Sequence, residues 1–389
     1  MDIQPPEYVN KVLSALASGG FTACIVGGCV RDLLLGVEPN DWDVASSALP
    51  EEVMEIFPGS VPTGIKHGTV TARVDGQSVE VTTFRTDGSY ADHRHPDGVN
   101  FVKDLKEDLS RRDFTINAIA ITAAGQIEDP FGGRADLEKG IIRAVGEAGR
   151  RFEEDALRML RAFRFSSRLG FVIEENTLMA VKENAPLTVN LSAERVRDEI
   201  EKILMTERPE AFKELLDYGL ISSYVKSADC PEESLAAIKN LPREALLRWA
   251  GLCAALEKAQ CIDSAENFLR ALRLDLRTIR ACSRCCAMLK GEEPGSKAGW
   301  KRALHAFGED AARCAAAILG RSAELEAVLA SGECYKICGL KISGDDLKKL
   351  GISGKEIGNT LEALLDKVIE DPEYNNPERL LPLAEKINA

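Results

Sequence analysis

Ile25-Val26-Gly27-Gly28-Cys29-Val30-Arg31-Asp32-Leu33-Leu34-Leu35-Gly36 runs from the end of an apolar strand, through two glycines, into the start of a helix. A few residues later comes Asn40-Asp41-Trp42-Asp43-Val44. Gly27 and Gly28 let the backbone approach a ligand closely, and the amides of a helix start suit a phosphate. The spacing is neither the Rossmann GxGxxG nor the Walker pattern. The acids sharpen the reading. In a strand, residues i and i+2 share a face, so Asp41 and Asp43 are expected to converge. Two carboxylates held that close repel unless a cation lies between them. Hard oxygen ligands of this kind suit Mg²⁺, which binds few carboxylates together with substrate phosphates.

Glu80, in Ser78-Val79-Glu80-Val81-Thr82-Thr83-Phe84-Arg85, lies on a later strand and is a candidate third carboxylate. The competing reading is an exposed strand acid. A phosphate cradle followed by a metal-binding acid pair is the pattern of a polymerase-β-type nucleotidyltransferase, and Asp41, Asp43 and Glu80 are its candidate catalytic residues.

Working outward, the chain has 389 residues, 49 Lys+Arg against 62 Asp+Glu, and a formal net charge of −13. That length suggests two to four domains, with ample chain for a buried core. An apolar fraction of 45% and a charged fraction of 29% fit a globular protein rather than a disordered one. No apolar run reaches about 18 residues, and Met1-Asp2-Ile3-Gln4-Pro5 lacks a signal-peptide pattern, so a cytoplasmic protein is expected. Eleven cysteines, an odd number, fit free thiols in a reducing compartment better than a disulfide framework. Cys282-Ser283-Arg284-Cys285-Cys286 contains a CxxC, but no second pair stands at zinc spacing. The acidic total excludes an evenly basic surface, not a local basic groove.

Residues 22–26, 44–46, 69–74 and 79–84 read as strands, being short and mostly β-branched. Residues 30–35 and 51–57 read as helices, the second opened by Pro50. From about Phe152 the texture changes: Leu, Ala, Glu, Lys and Arg recur at helical spacing, and 153–169 and 193–204 read as long amphipathic helices. Breaks are expected at 228–233 and 291–299. The class is therefore α+β, a mixed β-sheet head followed by an all-helical remainder.

Two more clusters carry charge. In Asp108-Leu109-Ser110-Arg111-Arg112-Asp113-Phe114-Thr115-Ile116-Asn117-Ala118, paired arginines suit triphosphate oxygens, and Asp113 with Asn117 suits ribose hydroxyls. In Glu153-Glu154-Asp155-Ala156-Leu157-Arg158-Met159-Leu160-Arg161-Ala162-Phe163-Arg164-Phe165, Asp155 and Arg158 are expected as i, i+3 helix neighbours. Arg161, Arg164 and Arg168 are expected to form a basic stripe.

Gly-Gly-x-Val-Arg-Asp-x-Leu-Leu-Gly, Asp-x-Asp, Arg-Arg-Asp-Phe-Thr-Ile-Asn-Ala and Glu-Asp-x-x-Arg occur in that order. The set resembles the class II tRNA nucleotidyltransferases, the CCA-adding enzymes, whose relatives include bacterial poly(A) polymerases. Glu194-Arg195-Val196-Arg197-Asp198-Glu199 resembles a further motif of the family, and residues 339–359 resemble its tail more weakly. The resemblance implies a polymerase-β-like head (1–140), a helical neck (141–205), a body (206–320) and a tail (321–389), the last two binding tRNA. It implies that Asp41 and Asp43 hold two metal ions, taken as Mg²⁺. Gly27, Gly28, Arg31, Arg111, Arg112, Asp113 and Asn117 would contact the nucleotide. Asp155 and Arg158 would select the base, with Glu154, Arg161 and Arg164 around them. Arg85, Asp92 and Arg94 would belong to a flexible loop that assists the switch from C to A addition.

The hydrogen-bond inventory agrees with that selection. Cytosine and adenine each present an amino donor beside a ring-nitrogen acceptor, which a carboxylate and a guanidinium complement; uracil and guanine present the reverse. At residues 63–70, Thr-Gly-Ile-Lys-His-Gly-Thr-Val departs from the Gly-Arg-Arg-Phe-like segment typical of bacterial poly(A) polymerases. The expected activity is template-independent addition and repair of the 3′ CCA of tRNA from CTP and ATP, without an obligate protein partner or a membrane. The alternatives are A-addition only, poly(A) polymerase activity, a small-molecule nucleotidyltransferase, or a non-catalytic RNA-binding protein.

Overall fold

The computed structural model describes residues 5–87 and 98–388. The chain divides into two compact units, Met1–Ser223 and Tyr224–Ala389.

The first unit is built on a seven-stranded mixed sheet. Its strands are β1 (Ala23–Val26), β2 (Asp43–Ser46), β3 (Val61–Gly64), β4 (Thr69–Val74) and β5 (Gln77–Thr83). A separate hairpin, β6 (Arg85–Asp87) with β7 (Val99–Phe101), precedes β8 (Ala120–Thr122) and β9 (Ile127–Glu128). The sheet order is β3-β4-β5-β2-β1-β8-β9. Only β2 and β5 run parallel, with Asp43 opposite Glu80. The interior strand β1, between β2 and β8, is buried along its whole length, as its unbroken apolar run Ala23-Cys24-Ile25-Val26 requires.

Helices α1 (Glu7–Ser18), α2 (Gly28–Leu34), α3 (Pro50–Ile56), α4 (Leu105–Ser110) and α5 (Gly133–Lys139) accompany the sheet. On α1, Val9, Val12, Leu13 and Leu16 fall on one stripe, and all four are buried. Each contributes roughly 1.5–3 kcal/mol of apolar burial. After the short parallel pair β10 (Ile141–Ile142) and β11 (Val172–Ile173), the unit is completed by α6 (Ala148–Glu154), α7 (Leu157–Leu169), α8 (Glu175–Asn184), α9 (Ala193–Leu204) and α10 (Phe212–Asp217).

The second unit is helical: α11 (Glu232–Ala236), α12 (Ala245–Lys258), α13 (Ala265–Ala271), α14 (Leu276–Leu289), α15 (Lys297–Phe307), α16 (Glu309–Ile318), α17 (Ser322–Ala330), α18 (Gly344–Lys349), α19 (Lys355–Glu370) and α20 (Pro377–Asn388). α14 packs against both α12 and α16 through small side chains. Cys253, Cys282, Cys285, Cys286 and Cys314 are all buried there beside Ala250, Ala281, Ala312 and Ala315. All eleven thiols are free. Burial pushes the Cys285 and Cys286 thiols well above their ordinary range, so they act as small apolar residues. Leu347, Leu364, Leu365, Val368 and Leu380 form the core of the last segment. No helix among the described residues is long and apolar enough to cross a membrane.

Two sequence expectations are corrected. β2 begins at Asp43, so Asp41 lies in the bend before the strand rather than on it. The helix expected over 153–169 is two helices. Asp155 leaves α6 in extended conformation (φ −146°, ψ 101°), and its Oδ1 accepts from the amide of Leu157 at 3.1 Å, which caps α7. An Asp that bonds nearby amides competes with helix continuation, which an apolar-spacing argument does not register.

Gly133, at the first position of α5, sits where an added Cβ would lie 2.1 Å from the carbonyl oxygen of Thr115. Gly358, inside the exposed turn of α19, has open space around it. Gly133→Ala should therefore destabilise the protein by about 1–3 kcal/mol through overpacking. Gly358→Ala should stabilise it by roughly 0.5–1 kcal/mol. Denaturant titrations of the two variants check this; shifts of the same sign would contradict it.

Candidate active site

Gly27 is the residue before α2 and takes φ +79°, a conformation that favours glycine. The space where its Cβ would stand is filled: Arg112 Nη1 lies 3.0 Å from that point and Asp43 Oδ2 3.7 Å. The strand-to-helix turn therefore brings a backbone free of side chain, a guanidinium and a carboxylate together. Burial, then the charges of Glu80 and Asp41, raise the Asp43 carboxyl above its usual range, while Arg112 opposes them. Asp41 and Glu80 are both exposed. Among the described residues, no three His, Cys, Asp or Glu side chains are gathered closely enough to hold an ion, the acids of this site included.

The Arg-Arg pair is fixed from below by Asp108, which is fully buried. Arg111 donates to Asp108 Oδ1 from Nε (3.0 Å) and Nη2 (2.7 Å), and Arg112 Nη2 donates to Oδ2 at 3.3 Å. Burial alone would raise the Asp108 carboxyl; Arg111 and Arg112 outweigh it and hold it below its ordinary value. Arg112 Nε is buried and has no hydrogen-bond partner among the described residues. The Arg112 atom that faces Gly27 is Nη1.

A second lattice joins the sheet to α7 and α9. Asp113, buried, accepts from the Phe114 amide (2.8 Å), Asn117 Nδ2 (3.0 Å), and Arg161 Nε (2.8 Å) and Nη2 (2.5 Å). Arg31 is 3% exposed; its Nη1 donates to Asn117 Oδ1 at 2.7 Å and its Nε and Nη2 to Asp32. Arg164 pairs with buried Glu199 at 2.5 Å, and Arg168 with Asp32 at 3.3 Å. The ring of Phe165 lies under three guanidiniums, those of Arg164 (4.0 Å), Arg31 (5.2 Å) and Arg161 (5.5 Å). It also meets Phe114 edge-on at 5.7 Å.

This arrangement corrects the basic stripe. Arg158, Arg161, Arg164 and Arg168 are each neutralised by an acid, and Arg158 and Arg164 are buried. Asp155 and Arg158 do not pair with each other. Arg158 Nη1 donates to Glu154 Oε2 (2.9 Å) and to the Arg151 carbonyl (3.1 Å), and its Nη2 to the Arg111 carbonyl (3.0 Å). Asp155 Oδ2 instead accepts from Arg195 Nη2 at 2.7 Å. The Arg111 carbonyl contact puts Arg158 beside the Arg-Arg segment.

Sequence reasoning missed Asp108, Arg151, Phe165 and Arg195 as members of these networks. Phe165 carried a signal, an aromatic residue between arginines in Arg161-Ala-Phe-Arg-Phe165. Arg195 stood in the motif-like segment 194–199, but its partner Asp155, 40 residues away in sequence, was not legible there. Arg85 lies at the base of the β6–β7 hairpin, where its guanidinium donates to the His67 carbonyl. Asp92 and Arg94 lie outside the described residues.

The order of these parts along the chain is matched by known proteins. Residues 23–143 match the family described as Poly A polymerase head domain, and residues 170–229 that described as Probable RNA and SrmB- binding site of polymerase A. A CCA-adding enzyme of Geobacillus kaustophilus is 40% identical, covering 97% of this chain and 96% of its own. The chain belongs to the CCA-adding enzyme family. Another member, from Limosilactobacillus fermentum, is 37% identical over 97% of this chain and 96% of its own. The crystal structure of Bacillus stearothermophilus CCA-adding enzyme in complex with CTP superposes with a TM-score of 0.82 at 35% identity, covering 99% of this chain and 98% of that one. The α+β architecture, a mixed-sheet head followed by helices, is that of CCA-adding enzymes.

Arg161 and Asn117 hold the Asp113 carboxyl below its ordinary value, outweighing the upward push of burial. A depressed carboxyl adds stability above its unfolded value, about 4, and loses it as pH falls toward the folded value. Asp113→Asn should cost roughly 2–3 kcal/mol at pH 7. The deficit should shrink steadily as the buffer is acidified below about pH 4. Urea unfolding of both proteins at several pH values measures it; a pH-independent deficit would refute the ion-pair account.

Proposed function

We infer that this chain adds and repairs the 3′-terminal CCA of tRNA, taking CTP and ATP as substrates and working without a nucleic-acid template. The observation that carries the reading is the Gly27 turn with Arg112 and Asp43 against it, in a chain 40% identical along nearly its whole length to a CCA-adding enzyme. In the reaction, the 3′-hydroxyl oxygen of the RNA bonds to the α-phosphorus of the nucleotide as the bond to pyrophosphate breaks. The protein's task is to position and to neutralise.

The residues present fit a divalent ion. Asp43 is crowded by Glu80 and Asp41, which Arg112 only partly offsets, and the donors are hard carboxylate oxygens. A two-acid site that gathers no third ligand also suits Mg²⁺, which completes its shell with water and substrate phosphates. Asp41 and Asp43 would hold it, with Glu80 acting on Asp43 across the strand pair. Bound there, Mg²⁺ supplies charge neutralisation for the triphosphate and activation of the attacking hydroxyl. Arg112, whose Nη1 faces the Gly27 turn, and the Gly27–Gly28 backbone receive phosphate oxygens, and Arg111 supports Arg112 through Asp108. Asp113 and Asn117 form the floor under the ribose.

Base choice falls to Asp155 and Arg158. The carboxylate, held by Arg195 and the Leu157 amide, keeps further lone pairs for an amino group. The guanidinium, held by Glu154 and two carbonyls, donates to the adjacent ring nitrogen. Uracil and guanine would leave both groups mismatched, and buried mismatches are costly. The helical remainder, 206–320 and 321–389, binds tRNA, and the protein works in the cytoplasm.

The assay offers tRNA transcripts lacking CCA, lacking CA, or lacking only the terminal A with each nucleoside triphosphate. All three should be extended by CTP and ATP alone. Extension only of the last would show A-addition, and long homopolymers on unrelated RNA would show poly(A) synthesis. Asp41→Ala and Asp43→Ala should each lower kcat at least a thousandfold, on the order of 4 kcal/mol of transition-state stabilisation. Asp155→Ala should retain phosphoryl transfer but lose C/A-over-U/G preference; full selectivity in that variant would remove it from base choice.

A further inference from the structure

We propose that Arg280 and Arg284, with Arg277 beside them, form a subsite for consecutive backbone phosphates of the RNA substrate, on the second unit. This rests on the tRNA reading above and gives it a place on the helical unit. Arg277, Arg280 and Arg284 stand at i, i+3 and i+7 on α14, within an arc of about 60°. They line one side of a surface cavity of about 300 Å³, whose other side is Phe307, Gly308 and the first turn of α16.

Charge accounting separates these arginines from their neighbours. The acids at the cavity have other partners: Asp310 accepts from Arg277 at 2.8 and 3.0 Å, and Glu309 pairs at 2.9 Å with Arg313, which it shares with Glu326. Among the described residues, Arg280 and Arg284 have no carboxylate within ion-pair distance, although acids outnumber bases in this chain by 62 to 49. Both are exposed, so two guanidiniums without an acid partner stand on one concave surface. Arg284 is also held in place. Its Nη1 donates to the Phe307 carbonyl at 3.4 Å and lies 3.6 Å from where a Cβ on Gly308 would stand. Gly308 takes φ +84° and offers no side-chain cap to α16, so the amides of that first turn add to the positive potential at the cavity. Forked guanidiniums match phosphate oxygens in pairs, and arginines about one helical turn apart, some 6 Å, match the spacing of adjacent phosphates along a backbone. A repeating phosphate chain satisfies this pattern; a single free phosphate would leave one arginine idle.

The test uses the full-length protein carrying R280A and R284A together, both on an exposed face and outside the nucleotide site. Its affinity for a tRNA transcript lacking CCA is measured across a range of salt concentrations, beside kcat at saturating tRNA and affinity for CTP. The expected result is about tenfold weaker tRNA binding at physiological salt. The log–log salt slope should fall by about 1.4–1.8, two phosphate contacts at 0.7–0.9 each, with kcat and CTP affinity unchanged. R280K/R284K should recover most of the slope. Wild-type affinity and slope in R280A/R284A would overturn the subsite. So would an affinity loss without a change in slope, or weakened binding of polyglutamate with tRNA unaffected, which would mark an acidic-protein site. A wild-type protein that extends no tRNA transcript would refute the proposed activity itself, and the subsite with it.

Discussion

Asp43 is held in a position that electrostatics alone would vacate. The sheet pairs β2 with β5 in parallel, so Glu80 stands opposite Asp43, and the bend before the strand keeps Asp41 near. Half-buried and crowded by two like charges, the carboxyl is opposed by the charge of Arg112. Such crowding is tolerated where the surrounding structure over-determines it, and the buried strands β1 and β2 supply that rigidity. Gly27 completes the arrangement because its missing Cβ leaves the space into which Arg112 and Asp43 point. A bound cation would relieve that crowding.

The second constraint is the set of ion pairs beneath α7. Asp113, Asp32, Glu199 and Glu154 each take a guanidinium from the arginine-rich helix. Pairs of this kind add little net stability against an apolar alternative, but losing one partner leaves a buried charge unpaired. Their value is geometric. Arg158 is held by the Arg111 carbonyl and Asp155 by Arg195, partners 47 and 40 residues away in sequence, so both side chains are fixed in place. Preorganised polar groups of this sort reject a wrong partner more sharply than an apolar pocket does. Phe165 gives three guanidiniums a common face on which to stack, which lets like charges share a small volume.

Much of this was legible in the chain itself. The strands containing Ile25, Val44, Val70 and Val81, the Gly-Gly turn, and the helix over 193–204 all follow from apolar periodicity and turn chemistry. What periodicity could not supply was the partner of each charge. The residues 153–168 look like one amphipathic helix with a solvated basic face. Asp155 instead ends one helix and caps the next, and each arginine there pairs with an acid from another element, Arg158 and Arg164 in the interior and Arg168 at the surface. Local spacing predicts which side chains share a face. Whether that face meets water or a buried carboxylate depends on contacts 40 or more residues away. The short strands β3, β8 and β9 were missed because two to four residues carry too little alternation to register.

The central claim is that Asp43 and its neighbours are built to be completed by a divalent ion and a nucleotide together. Calorimetric titration of CTP into the wild type and Asp43→Asn, each with and without Mg²⁺, tests it most directly. The account predicts that Mg²⁺ strengthens CTP binding at least tenfold in the wild type. In Asp43→Asn, with the fold intact by circular dichroism, that enhancement should disappear. An equal Mg²⁺ enhancement in both proteins would contradict the account.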